Sequence, residues 1–403
     1  MPLRLLLGAA LYLLAFTYSC LTNYFDTDDM MNLYGAWHRF PDQVRPAGAL
    51  FYRIVFEAAG FHPIAFRLTA FSFILFNLAL QLRLLQHLGR HPATLAAGLL
   101  FGCFQGSMWM IYASSGMIYD VLCATFLYSA LLVAIERPNW WPVIALLHVG
   151  ALSSKELGVS LPGLLLLIRP LRRHSLLATS VLSAVFVAQR FLIPGPLTGH
   201  EAYTPVFTVA RLLENVVAYT RILTSHAIPF TALTAVAFWA ALFFLARNNR
   251  TILTGLCFFW IALSPMLTAT PRHAGYVFYV PMFGLALAVG AAFRSFYCRT
   301  NRRIAISLFL LLTIAIHIYQ RRVTVNRGET PAGHHAIRQL AQLHLPLQPG
   351  NRVLLINSPG RAYPWLGTFT LTLTHKVRDL TVDEPRSPIP SNGYDFAIVF
   401  PPE

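Results

Sequence analysis

Three acids crowd together in Phe25-Asp26-Thr27-Asp28-Asp29, immediately after the first apolar run of the chain. Carboxylates this close repel one another. Desolvation beside a bilayer then raises the proton affinity of at least one, which is the usual preparation of a general base. A plainer role competes, because aspartates opening a helix satisfy its free N–H groups and its dipole. Lys155-Glu156 is the second feature, an ionisable pair inside an apolar stretch, where such groups are costly and mark either a functional site or a mutually neutralising pair. Arg190 and Arg272 add isolated positive charge, the latter in Thr270-Pro271-Arg272-His273. Each alone is explained by snorkelling. With Arg45 and Lys155 they make a cationic set suited to holding a phosphate beside a carboxylate base. Asp120, after Ser114-Ser115-Gly116, either joins that set or caps its helix, and capping is the simpler reading.

The elements that would position these groups are membrane helices. Of 403 residues 56% are apolar and only 12% charged, against roughly 25% charged in a soluble domain. That is about 226 apolar side chains, enough for on the order of eleven spans of about 20 residues each. A soluble enzyme, a disordered chain and a nucleic-acid-binding module are excluded. Apolar runs recur at 3–21, 63–85, 93–111, 118–135, 141–153, 157–168, 176–193, 228–246, 252–268, 276–293 and 304–319. The fifth and sixth are short and meet at Lys155-Glu156, so they read equally as two half-buried helices at a polar break. The first run lacks a small-residue cleavage site and reads as an uncleaved span.

The net charge of +15 comes from 31 basic and 16 acidic residues, all the basic ones being arginine except Lys155 and Lys376. The arginines cluster in short connections. An inside N-terminus places thirteen of them, among them Arg83, Arg90, Arg247, Arg294 and Arg303, on the inner side against the single acid Glu136. Basicity therefore reports orientation and not a polyanion partner. Asp26, Asp28, Asp29, Glu57, Glu156 and Glu214 then fall on the outer side or near it. The five cysteines have neither disulfide-framework nor zinc spacing.

Between the runs, Met30, Leu33, Trp37 and Phe40 recur at helical spacing, as do Leu50, Phe51, Ile54, Val55, Ala58 and Ala59, with Arg53 and Glu57 opposite. Residues 206–217 repeat the pattern. Such stripes suit helices lying in the outer interface, roofing a cavity above the membrane. After residue 320 the hydropathy changes. A helix is expected at 331–343 and short buried strands at 352–357 and 394–400, making a small α/β domain whose simplest role is a cap. His334-His335 diverge on a helix and read as solvated. The expected fold is thus an all-α polytopic membrane protein of about eleven spans over residues 1–320, with outer interfacial helices, followed by an extracytoplasmic α/β domain over 321–403.

These residues, in this order, carry a family resemblance. Asp28-Asp29 after the first span, Arg45-Pro46-Ala47-Gly48-Ala49-Leu50-Phe51-Tyr52-Arg53, and Ser154-Lys155-Glu156-Leu157-Gly158-Val159-Ser160-Leu161-Pro162 resemble the multispanning GT-C glycosyltransferases. The similarity is to the protein-mannosyltransferase-like and tetratricopeptide-linked branch in particular, and segments 112–127 and 272–279 look like its fourth-span and tenth-span segments. It covers roughly residues 3–294. The weight lies in the order of motifs on one membrane face, since an acidic pair alone is weak. The resemblance implies a catalytic acid from the first outer loop and a sugar donor on a polyprenyl or dolichyl phosphate. It matches Asp28 and Asp29 to the acidic pair, Lys155 and Glu156 to the Lys-Glu motif, and Arg272 to the outer-loop arginine. The chain departs from the family in lacking tetratricopeptide repeats and in having Met117-Ile118-Tyr119 before Asp120 where relatives would carry a basic residue.

On this reading Asp28 deprotonates the acceptor and Asp29 tunes it. Lys155, Arg272, Arg190 and Arg45 neutralise the lipid phosphate, and Glu156 and Asp120 contact substrate. The partners are a lipid-linked sugar donor, a glycan, lipid or protein acceptor, and membrane lipids, in a plasma (inner) membrane with the site and C-terminus outside. No cofactor is expected, although Asp26, Asp28 and Asp29 could recruit a divalent ion. The rival from another class is a polytopic transporter or flippase for a lipid-linked or anionic substrate, and a third option is a noncatalytic subunit with a decayed site.

Overall fold

The computed structural model describes residues 2–39, 45–168, 172–192, 206–268, 273–326, 333–359, 363, 365–384 and 393–400. It is dominated by helices. Five are long and apolar enough to cross a membrane: Leu3–Thr22, Pro63–Leu88, Ser115–Glu136, Arg250–Leu267 and Arg302–Thr324. A sixth arises if Pro92–Cys103 and Gly106–Ala113, bent by 44°, are one broken span. Trp141–Leu152, Glu156–Leu165, Ala232–Ala246 and Met282–Tyr297 are apolar but shorter. All eleven runs expected from hydropathy are thus largely helical, and about half of them pass for spans by length and composition. The chain is an all-α integral membrane protein in this coarse sense.

Local chemistry sets the helix boundaries. Pro46 occupies the first position of Pro46–Ala59, where its missing N–H costs nothing, and Gly60 ends that helix at φ +66° with its N–H on Phe56 O. Asn249 Oδ1 accepts from the N–H groups of Thr251 and Ile252 to start Arg250–Leu267. Thr231 and Thr234 bond reciprocally at the start of Ala232–Ala246.

The chain divides into two compact units, one of Met1–Tyr18, Ala70–Tyr112 and Met117–Glu329, the other of Ser19–Thr69, Ala113–Gly116 and Thr330–Glu403. In the first unit small residues let helices approach. A Cβ on Gly98 would meet Ala286 O at 2.7 Å, Gly290 lies against Thr94 O, and Gly255 and Gly284 face each other. This is the small-residue packing that drives association where lipid offers no hydrophobic contrast. Outward faces are apolar, for example Leu7, Leu11, Leu308, Leu311 and Leu312.

The break at Phe104-Gln105 in the first unit is extended backbone. Polar side chains meet its needs: Gln105 Nε2 donates to Phe101 O, Gly106 N–H donates to Gln320 Oε1, and Thr324 Oγ1 donates to Gly106 O. Non-helical backbone at membrane depth survives only with such compensation.

In the second unit the helices Thr27–Arg39 and Pro46–Ala59 pack together, burying Met30, Leu33, Tyr52 and Phe56. Leu50 and Ile54 remain exposed, and Arg53 pairs with Glu57 at 2.8 Å. The tail belongs to this same unit, so the unit boundary in the chain falls at Glu329/Thr330 and the expected domain at 321–403 has residues 19–69 and 113–116 as unit partners. The tail is α/β. Strand β1 (Arg352–Ile356) lies between β2 (Thr381–Asp383) and β3 (Phe396–Val399), parallel to both, with helices His334–Ala341 and Leu366–His375. The first helix is shorter than the expected 331–343, and Leu366–His375 and β2 add to the elements read from the sequence.

Candidate functional site

The helix Thr27–Arg39 starts where it does because its entrance is closed reciprocally. Asp26 Oδ1 accepts from Asp29 N–H at 2.7 Å, and Asp29 Oδ2 accepts from Asp26 N–H at 3.1 Å. This is a capping box built from two aspartates. Asp29 is also gripped from three other directions. Tyr52 Oη donates to its Oδ1 at 2.9 Å, Ser115 Oγ donates to the same oxygen at 2.6 Å, and Arg67 Nη2 stands 3.0 Å from Oδ2. Arg67, itself buried, also donates to Tyr24 O. Asp29 is therefore the anchor of the second unit's core, tying together the segments 24–29, 52, 67 and 115.

Asp26 is the carboxyl whose proton affinity the environment raises. Burial and then the neighbouring charge of Asp29 push it up to about 8. The expected repulsion within the triplet is present at Asp26. Asp28 stands outside the reciprocal cap, on the first helical turn, half-buried. Its Cβ would lie 3.0 Å from a Cβ placed on Gly116, so a glycine there lets the segment Ala113–Gly116 run close against it.

The tail contributes to the same neighbourhood. Gly333, at φ +80°, would meet Thr27 Cγ2 at 3.0 Å with any Cβ, and it starts the helix His334–Ala341. His334 Nε2 is buried without a hydrogen-bond partner among the described residues, and the ring is held below its ordinary pKa by burial and then by the charge of Arg67. The expectation of two solvated histidines fails for His334, because the helix that carries it packs into the unit instead of standing in water. His335 is exposed.

The second candidate lies in the first unit. Lys155 Nζ donates to Asp120 Oδ2 at 2.9 Å, with both side chains buried, and stands 5.0 Å from the centre of the Tyr276 ring. Two expectations are corrected here. Lys155 takes a carboxylate from the helix Ile118–Glu136, 35 residues away, while its neighbour Glu156 is half-buried. Asp120 is spent on this pair, and Met117 at the head of that helix has no side-chain cap. The physical reason is burial: an ammonium at this depth requires a carboxylate in contact, and residue 156 sits on a 3₁₀ turn, Glu156–Ser160. Nearby, Asn77 Nδ2 donates to Val121 O and Thr125 Oγ1 donates to Asn77 Oδ1.

Arg45 precedes the helix Pro46–Ala59 without capping it by its side chain. Arg272 and the side chain of Arg190 lie outside the described residues. Among the described residues no three His, Cys, Asp or Glu side chains group as a metal site, and Asp26 and Asp29 are already turned to their helix and to Arg67. All five cysteines are thiols, Cys298 alone being exposed. The places of Arg67, Tyr52, Ser115 and His334 in this unit's core escape a reading of the sequence. The one available signal was Arg67, a charge four residues into the second apolar run and far from Arg83 at its other end.

Comparison with protein-family profiles, with characterised proteins and with solved structures returns no match to this chain.

Proposed function

We propose that the protein is a membrane glycosyltransferase that moves a sugar from a polyprenyl- or dolichyl-phosphate donor to an acceptor presented outside the membrane. The observation that supports this reading most is the division of labour at 26–29. Asp26 and Asp29 close the helix and hold the unit together, while the half-buried Asp28 is the acid of the triplet that this scaffold leaves outside its cap.

In the proposed reaction Asp28 takes the proton of the acceptor hydroxyl as that oxygen attacks the anomeric carbon. The bond from that carbon to the phosphate oxygen breaks, the lipid phosphate leaves with the electron pair, and the configuration inverts. The cations nominated for the phosphate, Lys155, Arg45, Arg190 and Arg272, enter this proposal from the sequence, as does the outer placement of the site. Incubating purified protein with a polyprenyl-phosphate sugar and an alcohol acceptor tests the reading. Inverted glycoside and free polyprenyl phosphate in equal amounts are expected; neither product with any donor or acceptor tried would contradict it.

A second reading, a transporter or flippase, is favoured by one observation. Discontinuous helices mark binding sites in transporters, and among the described residues helices break at Phe104-Gln105 and at Ser153 to Lys155. Movement of intact lipid-linked sugar across proteoliposomes, with no bond cleaved, would select it.

A further inference from the structure

In the first unit four helix ends meet around a cavity of about 350 Å³. They are the end of Pro63–Leu88 at Gly89, the starts of Pro92–Cys103 and Arg250–Leu267, and the end of Met282–Tyr297. The lining is basic and polar: Arg294 and Arg299, with Asn249, Thr251 and Ser295, and no carboxylate. Neither arginine makes an ion pair among the described residues. Asn249 spends its Oδ1 on the helix start, which leaves its amide hydrogens for an occupant. Two helix starts and two helix ends bring opposite dipole ends to the cavity, so its positive charge comes from the two arginines.

The walls are also fixed before anything binds. Gly98 and Gly290 seat the helix Met282–Tyr297 against Pro92–Cys103, and Gly255 and Gly284 seat it against Arg250–Leu267, with backbone in direct contact. A cavity rimmed by two exposed guanidinium groups, neither ion-paired among the described residues, and lined by no acid selects an anion. Its planar donors suit the oxygens of a phosphate. Its position at the ends of apolar helices is where the headgroup layer of a bilayer lies, and basic pockets between spans there take anionic headgroups. The volume is at the lower end for a small-molecule site, matching a phosphate with a glycerol and little more.

We propose that this cavity is a phosphate site for an anionic phospholipid headgroup, with Arg294 and Arg299 as its charge partners. It is independent of the glycosyl-transfer reading. Cys298, exposed in the same lining, supplies a reporter.

The test uses the full-length protein in nanodiscs, following alkylation of Cys298 by an uncharged thiol reagent, beside native mass spectrometry of retained lipid. Phosphatidylglycerol should be retained over phosphatidylcholine and should slow alkylation of Cys298. Arg294→Gln with Arg299→Gln should weaken retention about tenfold or more and abolish the protection. Arg172→Gln with Arg173→Gln, the same loss of charge at an exposed helix start outside this lining, should change neither. Arg299→Gln alone serves if the double variant melts early. Protection by millimolar inorganic phosphate in phosphatidylcholine discs would support the phosphate site and assign it to a soluble anion. Equal retention of both lipids, or an equal loss in the Arg172 and Arg173 control, would overturn the proposal.

Discussion

Arg67 Nη2 stands 3.0 Å from Asp29 Oδ2, and both side chains are withdrawn from solvent, 3% and 0% exposed. A guanidinium and a carboxylate so placed hold each other in a fold neither could enter alone. Arg67→Met should cost about 3 to 5 kcal/mol, because it strands a buried carboxylate, and adding Asp29→Asn should recover part of that. Arg53→Gln, which breaks an exposed pair with Glu57, should cost no more than about 1 kcal/mol. Thermal melting of the four proteins in one detergent checks the ordering.

Lys155 and Asp120 form the matching pair in the first unit. Lys155→Met or Asp120→Asn alone should destabilise strongly, again by about 3 to 5 kcal/mol, and Lys155→Met with Asp120→Leu should restore much of the loss. Glu156→Gln should be milder than either single change. Equal destabilisation by Glu156→Gln and Asp120→Asn would show that the two carboxylates share the ammonium evenly.

Asp26 gives the protein a pH signature. Its ordinary pKa is near 3.8 and burial with the charge of Asp29 raises it to about 8 in the folded state. Between those values the folded chain holds a proton there that the unfolded chain has released, so stability falls as pH rises, by at most about 1.4 kcal/mol per unit from this group. Asp26→Asn keeps the cap, since Asn and Asp serve about equally, and should flatten the slope between about pH 4 and 8. An unchanged slope in the variant would assign it to another group.

Much of this was legible in the sequence because hydropathy and burial share a cause. Runs such as 118–135 are apolar all round, and the helix Ile118–Glu136 is buried on nearly every side. Strands β1 and β3 were legible as short apolar runs between Gly and Pro. The helix Leu366–His375 was not, since Thr368, Thr370, Thr372 and Thr374 alternate with Phe369, Leu371 and Leu373 in the period of a strand. Capping by the acids at 26–29 was legible, but that Asp26 and Asp29 close it reciprocally was not, because the familiar form of that box pairs Ser or Thr with Glu or Gln. Arg67 was hidden by the apolar window around it. The Lys155–Asp120 pair was hidden by its separation of 35 residues, which only tertiary packing closes.

Orientation can be read with one native side chain. Cys298 precedes the helix Arg302–Thr324 and Gln348 follows it, both exposed. Positive-inside bias puts Cys298 inside and residue 348 outside. An impermeant thiol reagent on intact cells should label Gln348→Cys at once and Cys298 only after the membrane is opened. Labelling of both from one side would mean that the intervening helix does not cross.

The central claim is that Asp28 is a general base. Asp28→Asn preserves size and leaves the cap of Asp26 and Asp29 untouched, so melting should be nearly unchanged, while loss of the base should lower sugar transfer from a polyprenyl-phosphate donor by about 10² to 10⁴. Asp29→Asn should instead lower melting, because it disturbs Arg67, Tyr52 and Ser115 together. The decisive measurement is turnover and melting of these two variants side by side. Slow turnover in a stable Asp28→Asn protein is the predicted result; full turnover in that protein would contradict the account.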